Sequence, residues 1–391
     1  MSYNVPMHTS PPLRAPLALV LLTACGPDID PTPSDDTSTV LAGRDLGEFI
    51  TDKMAKARVP GLSVALIKGG EVTAAGAWGL ANVDDNRPVT TDTLFNLASV
   101  SKTVVATSVM MHVEDGDIDL DANVNEVLPF DVDHPWSSRK ITPRQLLTHT
   151  SGISDNWDVL EPLYVEGDSP VALGDFLEDY LVPGGKYYDA DWNYDLEPGE
   201  AADYSNVGSS LAAYLVEAST GTGFDQVCED EIFAPLGMDD AGWHLADVDQ
   251  DRLAMPYAWA GGDWEPYGFY GYPDYPDGGL RTTAPQIARL LALYAAGGVY
   301  DGERLLQEDT VDEMLSHQVP NLDETQGLIW YSWDLGDDTV WGHNGGDDGV
   351  ATEILFRKSD GAGVVVLMNA DGDRWGPVED IEEELLALAA E

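Results

Sequence analysis

Strand patterns occur near both ends of this chain, on either side of a long stretch of helices and loops. Apolar runs at 62–67 and 72–78 are joined by Gly69 and Gly70, which is the pattern of a β-hairpin. Further strand patterns lie at 329–335, 352–356 and 363–368, and helical patterns at 44–58, 287–296 and 378–390. These distant strands need each other as partners. We therefore expect an α/β (α+β) fold, in which one mixed sheet unites both ends around an inserted helical region.

Composition limits the kinds of partner that the chain can have. It has 391 residues, 43% of them hydrophobic, so it can bury a sizeable core in one large or two smaller domains. Lysine and arginine number 19 against 70 aspartates and glutamates, a formal net charge of −51. This charge repels nucleic acid and anionic headgroups. We interpret it as a solvated, solubilising surface rather than as a cation-binding one.

The first residues resemble an export signal. Arg14 precedes an apolar run at 15–24 that is too short to span a bilayer and is typical of a signal peptide. The run ends in Leu-Thr-Ala-Cys, similar to the lipobox of bacterial lipoproteins. We predict a signal peptide at 1–24, lipidation of Cys25 and a linker at 25–43, with a simple cleaved signal as the alternative. The protein would be exported to the cell envelope, with a lipid anchor as its only membrane contact.

Cys228 is then the only other cysteine, so no intrachain disulfide is expected. We expect its side chain to be buried as a small apolar group.

Ser99 and Lys102 lie three residues apart at the start of an apolar helical run that ends at Gly116. A helix places these two positions on one face, where an amine of lowered pKa can take the proton of the hydroxyl. This pair is the expected nucleophile. The alternative is a serine N-cap followed by a solvated lysine. Ser137 and Lys140 have the same spacing, but the prolines around them predict a turn.

Two further motifs suit serine acyl transfer. Tyr204 and Asn206 lie at a predicted loop-to-helix junction, where a phenol can move a proton and an amide can bind a substrate carbonyl. Ser154 and Asn156 form a rival Ser-x-Asn motif. The alternative for Tyr204 is a packed tyrosine beside an asparagine cap.

The second motif is His343, Asn344, Gly345 and Gly346 at a predicted strand edge. Glycines allow the backbone to approach closely there, and a backbone N–H can become an oxyanion donor beside that of Ser99. The alternative is a tight turn with a surface histidine.

An acidic stretch at 189–200 partly matches a calcium loop, with oxygen donors at Asp189, Asp191, Asn193, Asp195, Glu197 and Glu200. Tyr194 replaces the required glycine and Pro198 interrupts the loop. We therefore expect a solvated acidic loop and predict no metal site.

Together these motifs resemble those of the serine beta-lactamase and penicillin-binding protein superfamily, in which Ser-x-x-Lys precedes Ser-Asp-Asn or Tyr-x-Asn and then Lys-Thr-Gly. The chain is similar to the branch with class C beta-lactamases, D-alanyl-D-alanine carboxypeptidases, D-aminopeptidases and lactamase-like esterases. The stretches at 93–95, 146–152 and 278–283 support this. The resemblance implies a beta-lactamase/transpeptidase-like fold at 44–391, an antiparallel sheet flanked by helices, with a sheet part at about 44–98 and 281–391 and a helical part at about 99–280.

The resemblance also assigns roles. It makes Ser99 the acylated nucleophile, Lys102 its proton partner and Tyr204 the general base and acid. Asn206 and the tripeptide from His343 through Asn344 to Gly345 would bind substrate, and the N–H groups of Ser99 and Gly346 would form the oxyanion hole.

His343 stands where the family has lysine. A histidine is mostly neutral at pH 7, so it offers a substrate carboxylate less than lysine does. Arg281 is a candidate replacement cation, with a surface position as the alternative. The aromatic loop at 259–275 either covers the acyl pocket or packs on the helical region.

We therefore expect a serine hydrolase for a small-molecule ester or peptide, without a cofactor, more esterase-like or peptidase-like than an efficient beta-lactamase. The alternatives are a D-alanyl-D-alanine carboxypeptidase or beta-lactamase of the envelope, and an inactive homologue that binds peptidoglycan.

Overall fold

The central sheet joins the two ends of the chain. The structure, a computed structural model, describes residues 40–371 and 376–391. Its seven-stranded antiparallel sheet has the order β4-β5-β6-β7-β1-β2-β3. The strands are β1 (Gly61–Lys68), β2 (Glu71–Asn82), β3 (Arg87–Pro88), β4 (Tyr331–Leu335), β5 (Asp338–Asp347), β6 (Val350–Phe356) and β7 (Gly363–Met368). The early hairpin pairs with the late strands through β1 and β7, as predicted.

The helices are α1 (Gly47–Ala57), α2 (Ser101–Asp115), α3 (Pro143–Leu147), α4 (Trp157–Leu160), α5 (Leu173–Leu181), α6 (Asn206–Thr220), α7 (Phe224–Cys228), α8 (Ala234–Leu236), α9 (Ala284–Ala295), α10 (Glu308–Met314) and α11 (Pro377–Ala390). The predicted helices at 44–58, 287–296 and 378–390 correspond to α1, α9 and α11. Gly116 ends α2 in the left-handed conformation, with φ of 83°. Among the described residues, no helix is both long and apolar enough to cross a membrane.

Both faces of the sheet are covered. On β7, Val364 and Val366 join the core cluster that also contains residues of α1 and α11. Their neighbours Val365 and Leu367 face the opposite cluster, with α9 and the helical region. Because alternate residues point to opposite faces, β7 is a continuous apolar run. The glycines of the β1–β2 turn have φ of 59° and 84°, which explains their place in this hairpin.

Short strands are the main difference from the sequence prediction. The stretch at 99–280 was expected to contain no strands. It holds pieces of two to four residues, too short to show a strand period: Val165–Glu166, Tyr257–Ala260, Asp263–Pro266 and Tyr270–Gly271. Other short pairs are Phe95–Asn96 with Arg281–Thr282 and Val299–Tyr300 with Glu303–Arg304.

The last residues of the predicted linker belong to the fold. Val40–Leu41 pairs with Arg44–Asp45, and Leu41 is buried against the cluster of α1 and α11. The predicted signal peptide, Cys25 and the linker up to residue 39 lie outside the described residues. Cys228 is buried, as expected for a small apolar group, and burial raises the pKa of its thiol.

The strand that closes the sheet generates a stability prediction. Leu367→Ala removes a fully buried side chain from β7, so we expect the free energy of unfolding to fall by about 2–5 kcal/mol. Leu322 is 41% exposed, and Leu322→Ala is the matched control, with an expected loss below about 0.5 kcal/mol. Chemical denaturation measures both values. Equal losses would contradict this description of the core.

Candidate active site

Ser99 lies in a short 3₁₀ turn, Ala98–Val100, that leads directly into α2. Ala98 just before it has a positive φ of 46°, which is unusual for a residue with a Cβ. The Asn96 side chain accepts a hydrogen bond from the Ala98 N–H at 2.9 Å and helps to hold this turn. Ser99 is 8% exposed, so its hydroxyl sits in a narrow crevice between the sheet and the helical region.

Lys102 is fully buried beside Ser99, with three hydrogen-bond acceptors around its amine. Its Nζ lies 3.1 Å from Ser99 Oγ, 2.7 Å from Asn206 Oδ1 and 2.7 Å from the carbonyl oxygen of Asp277. An ammonium group has three N–H donors, and each meets an acceptor here. The structure thus brings the serine and the lysine together one helical turn apart, as the sequence spacing predicts.

The pKa of Lys102 is set by burial and by its acidic neighbours. Burial acts to lower the pKa of Lys102, but the nearby Tyr204 and Asp277 outweigh it, so the pKa is raised. The condition for the amine to take the Ser99 proton, a lowered pKa, is therefore opposed by acidic neighbours from distant parts of the chain. The raised pKa favours the protonated amine of Lys102 beside Ser99 Oγ.

Tyr204 shares the crevice with Ser99 and Lys102. The Lys102 Nζ lies 5.0 Å from the centre of the Tyr204 ring, and the Tyr204 hydroxyl is buried without a hydrogen bond of normal geometry. Burial raises the pKa of Tyr204, while the charge of Lys102 and its contacts with Lys102 and Ser99 oppose that shift. The phenol is therefore well placed to exchange a proton with Ser99.

The junction that presents Tyr204 and Asn206 is the start of α6. Ser205 is the N-cap, and its hydroxyl accepts from the Gly208 N–H at 2.8 Å. The Asp155 carboxylate accepts from the N–H groups of Asn206 and Val207 at 2.9–3.1 Å. The His149 ring stacks on Tyr204 with ring centres 4.3 Å apart. These contacts fix both predicted side chains beside Lys102.

Strand β5 closes the other side of the crevice. A Cβ at Gly345 would lie only 2.5 Å from the Leu97 carbonyl oxygen and 3.1 Å from the Ser99 nitrogen, so glycine is required for this approach. Gly345 thus runs beside the backbone of Ser99, and Gly346 follows it in the same strand. The sequence predicts the motif at 343–346 at a strand edge, but it lies within the longer strand β5. The glycines and aspartates of β5 obscure the alternation of apolar and polar residues that would have indicated a strand.

His343 and Asn344 point in opposite directions. His343 is on the same strand face as Gly345 by alternation, and it is 2% exposed. Its Nδ1 donates to the Asn344 carbonyl oxygen at 2.5 Å. Burial lowers the pKa of His343 to about 3, with a further contribution from Lys102. His343 is therefore neutral, as expected. Asn344 pairs with Glu353 on the other face of the sheet, so its side chain is not brought to Ser99.

The rival motifs lie elsewhere. The Ser154 N–H donates to the Asn193 carbonyl oxygen, and the Ser154 carbonyl oxygen accepts from the Tyr180 hydroxyl. The neighbouring Asp155 carboxylate accepts from N–H groups of the first turn of α6. Lys140 is exposed and bonds the Asp121 carbonyl, and no helix carries the pair that it forms with Ser137. In the acidic loop at 189–200, Asn193 is fully buried and donates to the Tyr180 and Tyr187 carbonyl oxygens at 2.8 Å, which gives this residue a structural use.

Arg281 is not a surface residue. It is 3% exposed, and its guanidinium donates to the carbonyl oxygens of Trp243, Gly279 and Tyr270 at 2.6–2.8 Å. Burial lowers its pKa. These bonds anchor the aromatic loop. Within that loop, Trp259 and Trp264 pack on each other, whereas Tyr270 and Tyr272 reach the end of β5.

Sequence reasoning missed the supporting residues Asp277, Asp155 and His149. Asp277 contributes a backbone carbonyl, which any residue type could supply. His149 lies within the motif stretch at 146–152, and Asp155 lies between Ser154 and Asn156 of the rival motif. A carboxylate three residues past such a signature is a usable signal for a helix cap, but only once the partner helix is known.

The fold and this site define a class of protein: hydrolases and acyl-transfer enzymes in which a buried Ser-x-x-Lys pair meets a tyrosine across the crevice. The chain belongs to the beta-lactamase family, whose family description "Beta-lactamase" matches residues 46–389.

Named relatives and solved structures agree with this membership. Penicillin-binding protein 4 of Amycolatopsis lactamdurans is 29% identical over 80% of this chain and 81% of its own length. Esterase EstB of Burkholderia gladioli is 32% identical over 59% of this chain and 58% of its own length. The octameric penicillin-binding protein homologue from Pyrococcus abyssi superimposes with a TM-score of 0.70 and 26% identity, over 88% of this chain and 76% of that one.

The buried neutral His343 generates a pH prediction. Its folded-state pKa of about 3 lies below the ordinary value of 6.5, so the unfolded chain takes up the proton first. The stabilising contribution of neutral, buried His343 is complete above pH 6.5 and is lost as the pH falls. Between pH 7.5 and pH 5, we expect the free energy of unfolding to fall by about 2 kcal/mol more in the wild type than in His343→Gln.

Denaturant unfolding of both proteins at several pH values measures this difference. His317→Gln, which removes an exposed histidine, is the matched control for the loss of an imidazole. A difference between wild type and His343→Gln that stays constant with pH would contradict the neutral buried state.

Proposed function

We propose that this protein is a serine hydrolase that cleaves small-molecule esters or amides through an acyl-Ser99 intermediate. The observation that carries the proposal is the buried Lys102 ammonium, which donates to Ser99 Oγ at 3.1 Å inside a crevice closed by β5 and α6. Since Lys102 donates to that oxygen, the Ser99 proton is free to point to another acceptor. Tyr204 is the neighbouring group that can take it.

The reaction then follows from these positions. Lys102 and Tyr204 titrate as one unit, and the active form has one proton fewer than ammonium plus phenol. The Tyr204 phenolate, stabilised by Lys102, takes the proton of Ser99 while Oγ attacks the substrate carbonyl. The N–H groups of Ser99 and Gly346 bind the oxyanion. Tyr204 returns the proton to the leaving group, and water then attacks the acyl-serine by the reverse proton path. No cofactor takes part in this scheme.

The substrate class follows from the neutral His343. A carboxylate-bearing substrate finds no cation at this position, which favours esterase or peptidase-like activity over efficient beta-lactam hydrolysis. Asn206 would orient the substrate carbonyl, since its Oδ1 is held by Lys102. Asn344 would contribute through its backbone, because its side chain lies on the other sheet face. The relative named as an esterase supports the same reading.

We also propose that the chain is exported to the cell envelope, with Cys25 as the site of a lipid anchor. The support is the sequence pattern at 14–25 and the relatives named as penicillin-binding proteins. Labelling of cells with a radioactive fatty acid and comparison with Cys25→Ala tests the anchor.

Covalent labelling tests the nucleophile. A fluorophosphonate probe should add its mass to the Ser99 peptide, and Ser99→Ala should lose the label and at least about 10³-fold in hydrolysis of p-nitrophenyl butyrate. Ser137→Ala is the matched control, because Ser137 has the same spacing from a lysine, and it should keep both. Mass spectrometry of the digested protein and steady-state kinetics are the two measurements.

The outcome also separates the alternatives. A folded wild type without label or turnover would favour an inactive peptidoglycan-binding homologue. Label together with fast cleavage of a D-Ala-D-Ala peptide or nitrocefin, but not of esters, would favour a carboxypeptidase or beta-lactamase.

Restoring a cation at the family's lysine position should change specificity. We expect His343→Lys to raise the ratio of kcat/KM for nitrocefin, which carries a carboxylate, to kcat/KM for p-nitrophenyl butyrate by about 10-fold, or about 1.4 kcal/mol. His343→Gln, similar in size but neutral, should leave the ratio within about 2-fold. If both variants change the ratio equally, charge at this position does not select the substrate.

A further inference from the structure

Asp347 ends β5 within a group of tyrosines. The Tyr164 hydroxyl donates to Asp347 Oδ1 at 3.3 Å and the Tyr272 hydroxyl approaches Oδ2 at 3.4 Å. The Tyr270 hydroxyl donates to the carbonyl oxygen of the next residue, Asp348, at 2.9 Å. We call Tyr164, Tyr270 and Tyr272 the tyrosine cluster. Its ring centres are 4.6–6.4 Å apart.

The tyrosine cluster borders the nucleophile. Asp347 lies two residues beyond Gly345 on the same strand face, a spacing of about 7 Å. The Gly345 position is the one that touches the Ser99 backbone. On the opposite side, a Cβ at Gly278 would lie 2.5 Å from the Tyr272 hydroxyl and 3.5 Å from the Ala98 carbonyl carbon. The Asp347 carboxylate and the cluster thus form a wall next to Ser99.

Two carboxyl groups, those of Asp277 and Asp347, lie at this wall. Asp277 is 7% exposed, and its Oδ1 is buried without a hydrogen-bond partner. Burial raises the pKa of both Asp277 and Asp347. Among the ion pairs within 40–371 and 376–391, none includes either carboxylate.

The two nearby cations are already engaged. Lys102 gives its three donors to Ser99, Asn206 and the Asp277 carbonyl. The described hydrogen bonds of the Arg281 guanidinium go to backbone carbonyls, including that of Tyr270. A carboxyl-bearing substrate would meet repulsion here, whereas a positively charged group would find a half-buried carboxylate and aromatic rings, the combination that binds ammonium ions.

We propose that Asp347 and the tyrosine cluster form a subsite for an ammonium group of the acyl donor, so that the preferred substrates are esters or amides with a cationic group near the scissile carbonyl. This inference rests on the proposed hydrolase function and narrows its substrate class. Asp347 binds the substrate and takes no part in proton transfer.

Two esters of equal shape test the proposal. The p-nitrophenyl esters of 4-(trimethylammonio)butyrate and of 5,5-dimethylhexanoate differ in one quaternary nitrogen replaced by carbon, and neither can cyclise. We expect wild-type kcat/KM to be at least about 10-fold higher for the cationic ester, after correction for the hydroxide-catalysed rates of the two esters. In Asp347→Asn this preference should fall by about 10-fold.

Asp337→Asn is the matched control. It removes one exposed aspartate from the turn between β4 and β5, at the opposite end of β5 from Asp347. It should keep the wild-type preference. The neutral ester reports structural damage in Asp347→Asn, since a damaged site lowers both rates and leaves their ratio unchanged.

The outcomes separate the two proposals. Wild-type hydrolysis of both esters without a preference for the cationic one, or an unchanged ratio in Asp347→Asn, overturns the ammonium subsite and leaves the hydrolase intact. Failure to hydrolyse either ester, together with no fluorophosphonate label on Ser99, overturns both.

Discussion

One buried ammonium group organises this site. The Lys102 Nζ binds acceptors from the turn before α2, from the start of α6 and from the turn at Tyr275–Asp277, which are far apart in sequence. A buried charge costs several kcal/mol unless it is paired and hydrogen-bonded, so the three segments have to converge on it. The same convergence places Ser99, Tyr204 and Asn206 within reach of one another. The hydrogen bonds that satisfy the buried Lys102 charge therefore also hold the candidate catalytic residues in place.

The predictable part of the molecule is the part encoded by local patterns. The α2 motif, the β1–β2 hairpin and β7 have strong periodicity and clear punctuation by glycine, and the structure has them where the sequence predicts them. The union of the two ends follows from the need of strands for partners. The family's fold follows from three motifs in the expected order.

The remainder depends on contacts between distant residues. The raised pKa of Lys102 comes from Tyr204 and Asp277, and the buried position of Arg281 comes from carbonyls on loops that no pattern connects to it. Alternation along β5 decides that His343 faces Ser99 and Asn344 does not, but the three glycines of that strand hide the alternation in the sequence. Burial and partner charge, which set each pKa, are properties of the assembled chain.

The pairing of β1 with β7 also orders the events of biosynthesis. β1 leaves the ribosome before the helical region, whereas β7 follows almost all of it. Until β7 emerges, one edge of the early hairpin is open, and an apolar edge of this kind is prone to aggregation. The large sequence separation between the paired strands gives a high contact order and hence slow folding. Since Gly345 of the late strand β5 lies against the backbone of Ser99, the crevice is complete only after the late strands have joined the sheet.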